Sequence, residues 1–257
     1  LVMSDTLFRM AGERQDERMQ AVAIATQLDY YYFQGTNEDS VIHYTNKVKE
    51  FAKATHQPKY YYFAWANRLI TYYLKTSRTN IALYEVQNML KEAQEEDDKT
   101  GLSRCYNIMS QIYTIKRFDS MAFEWRLKEI ELTEKYKIEN YNISQTYAQI
   151  ANYYINQKKQ KEALAAVEKA IATANSSTQQ ISAKLEFVNY YSKFGDFQAA
   201  EKLLKECQAA FEQDKRLESI KKRLYNIECL YYQQTKQYQK ALEAAKMQEK
   251  EERRLSE

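Results

Sequence analysis

The stretch YAQIANYYINQKKQKEALAAVEKA, residues 147–170, contains two helix-like segments joined by a short polar turn. Apolar and small residues recur at steps of three and four on both sides of the turn, which places them on one face of each helix. These residues are Tyr147, Ile150, Ala151 and Tyr154 before the turn, and Ala163, Val167 and Ala170 after it. The stretch therefore predicts a hairpin of two packed helices.

The same pattern recurs along the chain with a period close to 40 residues. Successive marker tyrosines lie 41, 40, 41, 37 and 41 residues apart. They are Tyr32, Tyr73, Tyr113, Tyr154, Tyr191 and Tyr232. An alanine follows four of them by nine positions, at Ala82, Ala163, Ala200 and Ala241. Self-similarity of this kind is typical of repeat arrays, in which each helical hairpin stacks on the next.

We predict an all-α fold in a single domain, residues 1–257, with no internal boundary. The predicted repeats lie near residues 22–62, 63–102, 103–143, 144–180, 181–221 and 222–257. The loops between them are predicted near residues 55–58, 95–101, 136–140, 175–179 and 213–217. The first and third repeats match poorly, and residues 119–131 of the third fit only if one residue is deleted in the turn.

Composition supports long helices and narrows the function. Only four glycines and one proline occur in 257 residues, which leaves few strand ends and tight turns. The 38 basic and 35 acidic residues give a net charge of +3, too balanced for a broad nucleic-acid-binding field. No apolar run has membrane-spanning length, because the best one, residues 21–33, is interrupted by Asp29. Because the first residue is Leu1, we expect a processed or truncated product.

The marker pattern resembles the tetratricopeptide repeat (TPR) in a long-period variant. The residues that carry the resemblance are Tyr154, Ala163, Val167 and Ala170, with Tyr191, Gly195 and Ala200 in the next repeat. The period exceeds the usual 34 or so residues, and the proline that often ends a TPR is absent. The resemblance implies a right-handed α–α superhelix of about six repeats. It also implies that the first helix of each repeat lines a concave groove.

The groove positions implied by the resemblance are rich in amides and hydroxyls. The candidate ligand-binding residues are Asn67, Thr71, Arg104, Asn107, Gln111, Asn152, Asn189, Arg223 and Asn226. A side-chain amide both donates and accepts, which suits the backbone of an extended peptide. The alternative is that these amides only solvate an inner helix face, and the sequence does not separate the two.

Two further features of the groove bear on its ligand. Arginines at Arg68, Arg104 and Arg223 are placed to hold a carboxylate, although the lysine of chaperone-binding TPR domains is missing. The N-terminal part is more aromatic, with Tyr30, Phe33, Tyr61 and Trp65, and predicts an anchor site for an apolar side chain. For Trp65, burial against the neighbouring repeat is the competing interpretation.

The sequence contains no recognisable catalytic or metal motif. The two histidines, His43 and His56, have no ligand spaced nearby, and three cysteines without a CxxC pair suggest no disulfide framework. Cys207 and Cys229 fall at small, buried repeat positions and are predicted to be structural thiols. We predict no catalytic residues, no metal, no cofactor and no nucleic-acid partner.

We therefore expect a non-catalytic protein- or peptide-binding module, with a ligand in the concave groove. Long-period, tyrosine-rich arrays with a charged final helix look like the extracytoplasmic sensor regions of some bacterial membrane-bound histidine kinases and regulators. This resemblance implies signal transduction by a larger protein and a periplasmic location. A free-standing TPR adaptor and an intracellular peptide-sensing transcriptional regulator remain as alternatives.

Overall fold

A computed structural model describes residues 1–35 and 37–256, and every regular element in these ranges is a helix. The prediction of an all-α fold is confirmed. The chain divides into two compact units, Leu1–Ile138 and Glu139–Glu257. Thr36 and Glu257, which belong to the first and sixth predicted repeats, lie outside the described residues.

The N-terminal unit consists of one leading helix followed by three helical hairpins. Its helices are α1 (Val2–Glu13), α2 (Glu17–Gln34), α3 (Glu38–Ala54), α4 (Pro58–Tyr62), α5 (Thr71–Lys75), α6 (Thr79–Glu95), α7 (Lys99–Ile115) and α8 (Asp119–Tyr136). A π-helical segment, Phe63–Ile70, joins α4 to α5, so the three form the first helix of the second hairpin. Pro58 opens that helix at its first position, where its missing N–H costs nothing.

The C-terminal unit contains three more hairpins. Its helices are α9 (Ile143–Asn156), α10 (Gln160–Ala172), α11 (Ser177–Phe194), α12 (Phe197–Gln213), α13 (Lys221–Gln234) and α14 (Tyr238–Ser256), with a 3₁₀ helix at Lys215–Ile220. The first helices of successive hairpins pack side by side, since α11 contacts both α9 and α13.

The first helices of the hairpins do not begin at the predicted repeat starts. Each begins one to five residues before the predicted start, at Glu17, Pro58, Lys99, Ile143, Ser177 and Lys221. The predicted inter-repeat loops overlap the observed breaks between helices. That the six hairpins form one continuous domain stays a prediction.

The marker spacing positions the core. Residues nine after each marker tyrosine are 5% exposed or less, and they include Val41 and Ala122 as well as the four predicted alanines. Ala122 lies nine after Tyr113 without any deletion, so the predicted gap in the third repeat is wrong. That repeat departs elsewhere, because Arg126 and Glu129 occupy core positions that hold apolar residues in the second, fourth and fifth hairpins.

Helix ends explain how the chain turns with so few glycines. Among residues 1–35 and 37–256, eight non-glycine residues and two glycines, Gly35 and Gly195, adopt positive φ, the left-handed conformation that closes a helix. The eight are Gln15, His56, Ser77, Asp97, Arg117, Lys137, Lys158 and Lys236. Side-chain caps by Asp16, Asn37, Asp98, Ser176 and Asp196 start five of the helices. The chain therefore ends most of its helices with non-glycine residues in the left-handed conformation, and few glycines are needed.

Among the described residues, no helix combines the length and apolar character required to cross a bilayer.

The three cysteines differ in burial, which predicts their reactivity. Cys105 and Cys207 are fully buried, and burial raises the pKa of each thiol to about 12. Cys229 is only partly buried, which corrects its assignment to a buried position; the Gln233 side-chain amide, one turn later, donates to its sulfur at 3.5 Å. We expect a thiol reagent at neutral pH to modify Cys229 alone in the folded protein and all three in denaturant, as read by intact mass. Labelling of Cys105 or Cys207 under native conditions would contradict the packing.

Candidate functional site

The most exposed aromatic surface of the first helices lies in the N-terminal unit, where α2 meets the π-helical segment. The guanidinium carbon of Arg68 lies 4.3 Å from the ring centre of Phe63, 4.8 Å from that of Tyr32 and 5.6 Å from that of Phe33. Arg68 also forms an ion pair with Asp29. We call Tyr32, Phe33, Phe63 and Arg68 the arginine–aromatic cluster. Its cation–π contacts fix the guanidinium against the rings.

This cluster presents its aromatic edge to solvent. Phe33 is 71% exposed and Tyr30, one turn earlier on α2, is 47% exposed, whereas the Arg68 side chain is only 17% exposed. Exposed aromatic side chains next to a fixed cation mark interaction sites more often than isolated apolar residues do. The Phe63–Ile70 segment is π-helical, an irregularity that is frequent at functional sites.

The other two aromatic residues of the predicted anchor site belong to the core. Trp65 is 5% exposed, and its indole N–H donates to Glu85 at 2.8 Å. Tyr61 packs edge-on against Trp65, and the ammonium of Lys49 lies 3.2 Å from the Trp65 ring centre. Burial lowers the pKa of Lys49. Trp65 is therefore a packing residue. Of the four aromatic residues predicted for the anchor site, only Tyr30 and Phe33 are exposed.

The predicted amides of the third hairpin are tied to a buried acid. Asn107 donates to both carboxylate oxygens of Glu129 at 3.2 Å and accepts a 2.6 Å hydrogen bond from Gln111. Glu129 is 1% exposed, so this amide stabilises a carboxylate that water does not reach. Gln111 itself is exposed.

The remaining predicted residues of the N-terminal unit do not converge. The Asn67 side chain is exposed, whereas the Thr71 hydroxyl donates to the carbonyl oxygen of Ala66. Arg104 lies with its guanidinium carbon 5.7 Å from the ring centre of Tyr62. Of these three side chains, only that of Asn67 is exposed, so its amide is accessible to a ligand.

Three predicted residues of the C-terminal unit meet around one carboxylate. Glu186 in α11 is 2% exposed and accepts hydrogen bonds from Asn152 at 3.1 Å and Asn189 at 2.8 Å. Arg223 in α13 donates to its other oxygen at 2.8 Å through Nη2. The Glu186 hub thus joins α9, α11 and α13. The fourth predicted residue of this unit, Asn226, lies apart from it and is exposed.

Two acids, Glu129 and Glu186, were not predicted as site residues. The sequence gives one signal for Glu186, because it lies directly between Leu185 and Phe187, and an acid among residues that are normally buried requires a partner. Two of the three predicted carboxylate-binding arginines, Arg68 and Arg223, pair with acids of the chain itself. No three His, Cys, Asp or Glu side chains gather as a metal site in the part of the chain that the structure describes.

The sequence matches no protein-family model and no curated protein. Solved structures match along most of the chain. Apo RapI shares 12% identity at a TM-score of 0.69, covering 96% of this chain and 68% of RapI. A Rap protein complexed with Competence and Sporulation Factor shares 15% identity at a TM-score of 0.57, covering 97% and 74%. A putative kinesin light chain with nearly identical TPR-like repeats from Podosopora anserina shares 15% identity at a TM-score of 0.51, covering 73% and 93%.

The resemblance to the TPR is confirmed at the level of the fold. Identities of 12–15% describe a shared arrangement of helical hairpins and carry no assignment of ligand. The chain is a TPR-like helical repeat protein, and its function has to be argued from its own side chains.

Proposed function

We propose that the chain is a non-catalytic module that binds a protein segment or peptide along its first helices. The observation that carries the proposal is the arginine–aromatic cluster, with Phe33 71% exposed beside a side chain of Arg68 that is 17% exposed. Aromatic residues, phenylalanine included, and arginine are enriched at protein–protein interfaces relative to the rest of the surface. A rigid cation among the rings loses little conformational freedom when a ligand binds.

The surface favours a ligand segment that carries an apolar or aromatic side chain. Such a side chain would lie against Phe33 and Tyr30, which α2 presents on one face at a spacing of three. The exposed amide of Asn67 lies on the adjacent first helix and has both a donor and an acceptor for the ligand backbone. One anchor plus a few backbone hydrogen bonds is enough for micromolar affinity.

The wider context is also a proposal. The similar Rap protein solved with Competence and Sporulation Factor is a TPR-like chain bound to another molecule, which supports a ligand-sensing role here. We propose the ligand-sensing domain of a larger bacterial signalling protein, with a periplasmic location. A free-standing adaptor or an intracellular peptide-sensing regulator is the alternative. The gene sequence on either side separates them, because the first requires a span of about twenty apolar residues and an effector domain.

The binding proposal is tested with a displayed library of random peptides selected on the whole chain. We expect the Tyr30→Ala, Phe33→Ala double variant to lose roughly 1–2 kcal/mol of affinity for the selected peptides, because both rings leave the contact. Fluorescence anisotropy of one labelled selected peptide measures the change.

The matched control is the Tyr84→Ala, Phe118→Ala double variant. These residues are 61% and 53% exposed, and Tyr84 lies on the second helix of its hairpin. We expect the control to bind like the unmodified chain. Equal affinity of both double variants, or selected peptides that compete for the control surface, would refute the proposed site.

A further inference from the structure

A small cavity lined by both apolar and polar groups lies in the C-terminal unit, beside the Glu186 hub. Its volume is about 140 Å³, close to that of engineered cavities that hold a benzene-sized molecule. Side chains of α9, α11 and α13 line it, together with the residue before α13. The lining residues are Ser144, Gln145, Ala148, Thr178, Gln179, Ser182, Ala183, Ile220 and Arg223. Three first helices thus contribute to one cavity.

Several polar groups around this cavity are not used by the protein. Within the described residues, the hydroxyls of Thr178 and Ser182 are half-buried and have no hydrogen-bond partner in the protein, whereas the side chain of Gln145 is exposed. The Nε–H of Arg223 is buried and also has none. Buried donors in folded proteins are normally paired, so the unpaired Nε–H of Arg223 next to two half-buried hydroxyls indicates room for a ligand.

The charge of the cavity selects the class of ligand. Arg223 is the only charged residue among the described lining residues, and its side chain remains 27% exposed. Glu186 is not part of the lining, but it already holds one N–H of that guanidinium. Arg223 therefore attracts an anion to the cavity. A ligand with two negative charges is disfavoured, because its second charge would be repelled by the carboxylate of Glu186.

We propose that this cavity binds a single carboxylate group. Arg223 supplies the positive charge, and the hydroxyls of Thr178 and Ser182 with the amide of Gln145 supply neutral donors. Glu186, held by Asn152 and Asn189, positions the guanidinium and does not touch the ligand. Nη2 of the guanidinium stays bonded to Glu186, and the Nε–H is the donor of Arg223 that no group of the protein accepts.

Packing alone gives a poor account of these residues. A buried ion pair is often no more stabilising than well-packed apolar residues of the same size, and here it leaves Nε without a partner. Carboxylate binding uses both the charge and the unpaired donor. The cavity lies in the C-terminal unit and does not involve the arginine–aromatic cluster, so this inference does not depend on the proposed peptide site.

The experiment is a titration of the whole chain followed by the Nε–H resonance of Arg223 in nitrogen–proton correlation spectra. The probes are acetate, N-acetylglycine as a chain end, and N-acetyl-aspartic acid methylamide as an acidic side chain, with acetamide as the uncharged comparison. We expect a saturable shift with millimolar dissociation constants for at least one carboxylate and none for acetamide. Response to acetate alone assigns a free small acid, and response to either longer probe assigns a chain end or an acidic side chain.

The test variant is Ser182→Leu, which fills the cavity and leaves the Glu186 hub in place. The matched control is Gln180→Leu, which adds a leucine at an exposed position of the same helix. We expect carboxylate affinity to fall by about tenfold or more in Ser182→Leu and to persist in Gln180→Leu. No saturable shift with any carboxylate, equal shifts with acetamide, or undiminished binding to Ser182→Leu would overturn the proposal.

Discussion

Replacing Arg223 with alanine is expected to lower the free energy of unfolding by about 3–5 kcal/mol. The substitution leaves the carboxylate of Glu186, only 2% exposed, without its positive partner in a site that water does not reach. The two asparagine amides remain, but neutral donors do not compensate a buried charge. Urea unfolding followed by circular dichroism measures the change.

Two further variants separate the buried charge from the loss of side-chain packing. In the Arg223→Ala, Glu186→Gln double variant the charge is gone, so we expect much of the stability to return. Arg216→Ala breaks an ion pair in the same unit whose arginine side chain is 78% exposed, and we expect less than about 1 kcal/mol. A loss below about 1 kcal/mol for Arg223→Ala would mean that Glu186 is not held as described.

The same glycine-to-alanine substitution is expected to have opposite effects in two helices of the N-terminal unit. At Gly101 in α7, an added Cβ would lie 2.1 Å from the Tyr62 hydroxyl oxygen and 2.7 Å from its ring carbon Cζ. The Tyr62 ring is 5% exposed and its hydroxyl bonds to Asp98, so it has little room to move. We expect Gly101→Ala to cost about 1–3 kcal/mol of stability.

Gly12, near the end of α1, is the matched control. An added Cβ there meets only the terminal amide of Gln20, at 2.8 Å, and that flexible end can shift. Alanine is the better helix former, so we expect Gly12→Ala to be neutral or to stabilise by up to about 1 kcal/mol. Thermal unfolding of both variants gives the comparison. A destabilised Gly12→Ala beside an unaffected Gly101→Ala would contradict the packing of α7 against Tyr62.

Much of the fold follows from the spacing of a few residues. The marker tyrosines and the small residue nine positions later fix where two helices approach, and this relation places even Ala122 correctly. The spacing does not predict whether the next core positions of the second helix hold apolar or charged residues. Arg126 and Glu129 fill such positions in the third hairpin, and their charges made the repeat difficult to recognise in the sequence.

The candidate site was less accessible to sequence reasoning, because exposure depends on the neighbouring hairpin. Both Trp65 and Phe33 belong to the predicted aromatic anchor site, with burial as the competing interpretation for Trp65; Trp65 is 5% exposed and Phe33 is 71% exposed. Likewise, Asn107 and Asn152 were expected to face a ligand, whereas each donates to a buried glutamate. Such partners come from other helices, and helical periodicity alone does not identify them.

The central claim, that a peptide binds along the first helices at the arginine–aromatic cluster, is tested most directly by hydrogen–deuterium exchange. The whole chain is compared with and without a saturating peptide from the displayed library. We predict slower exchange in α2 and in the segment Phe63–Ile70, with little change in the second helices α3 and α6. Protection confined to α3 and α6, or none in α2, would contradict the claim.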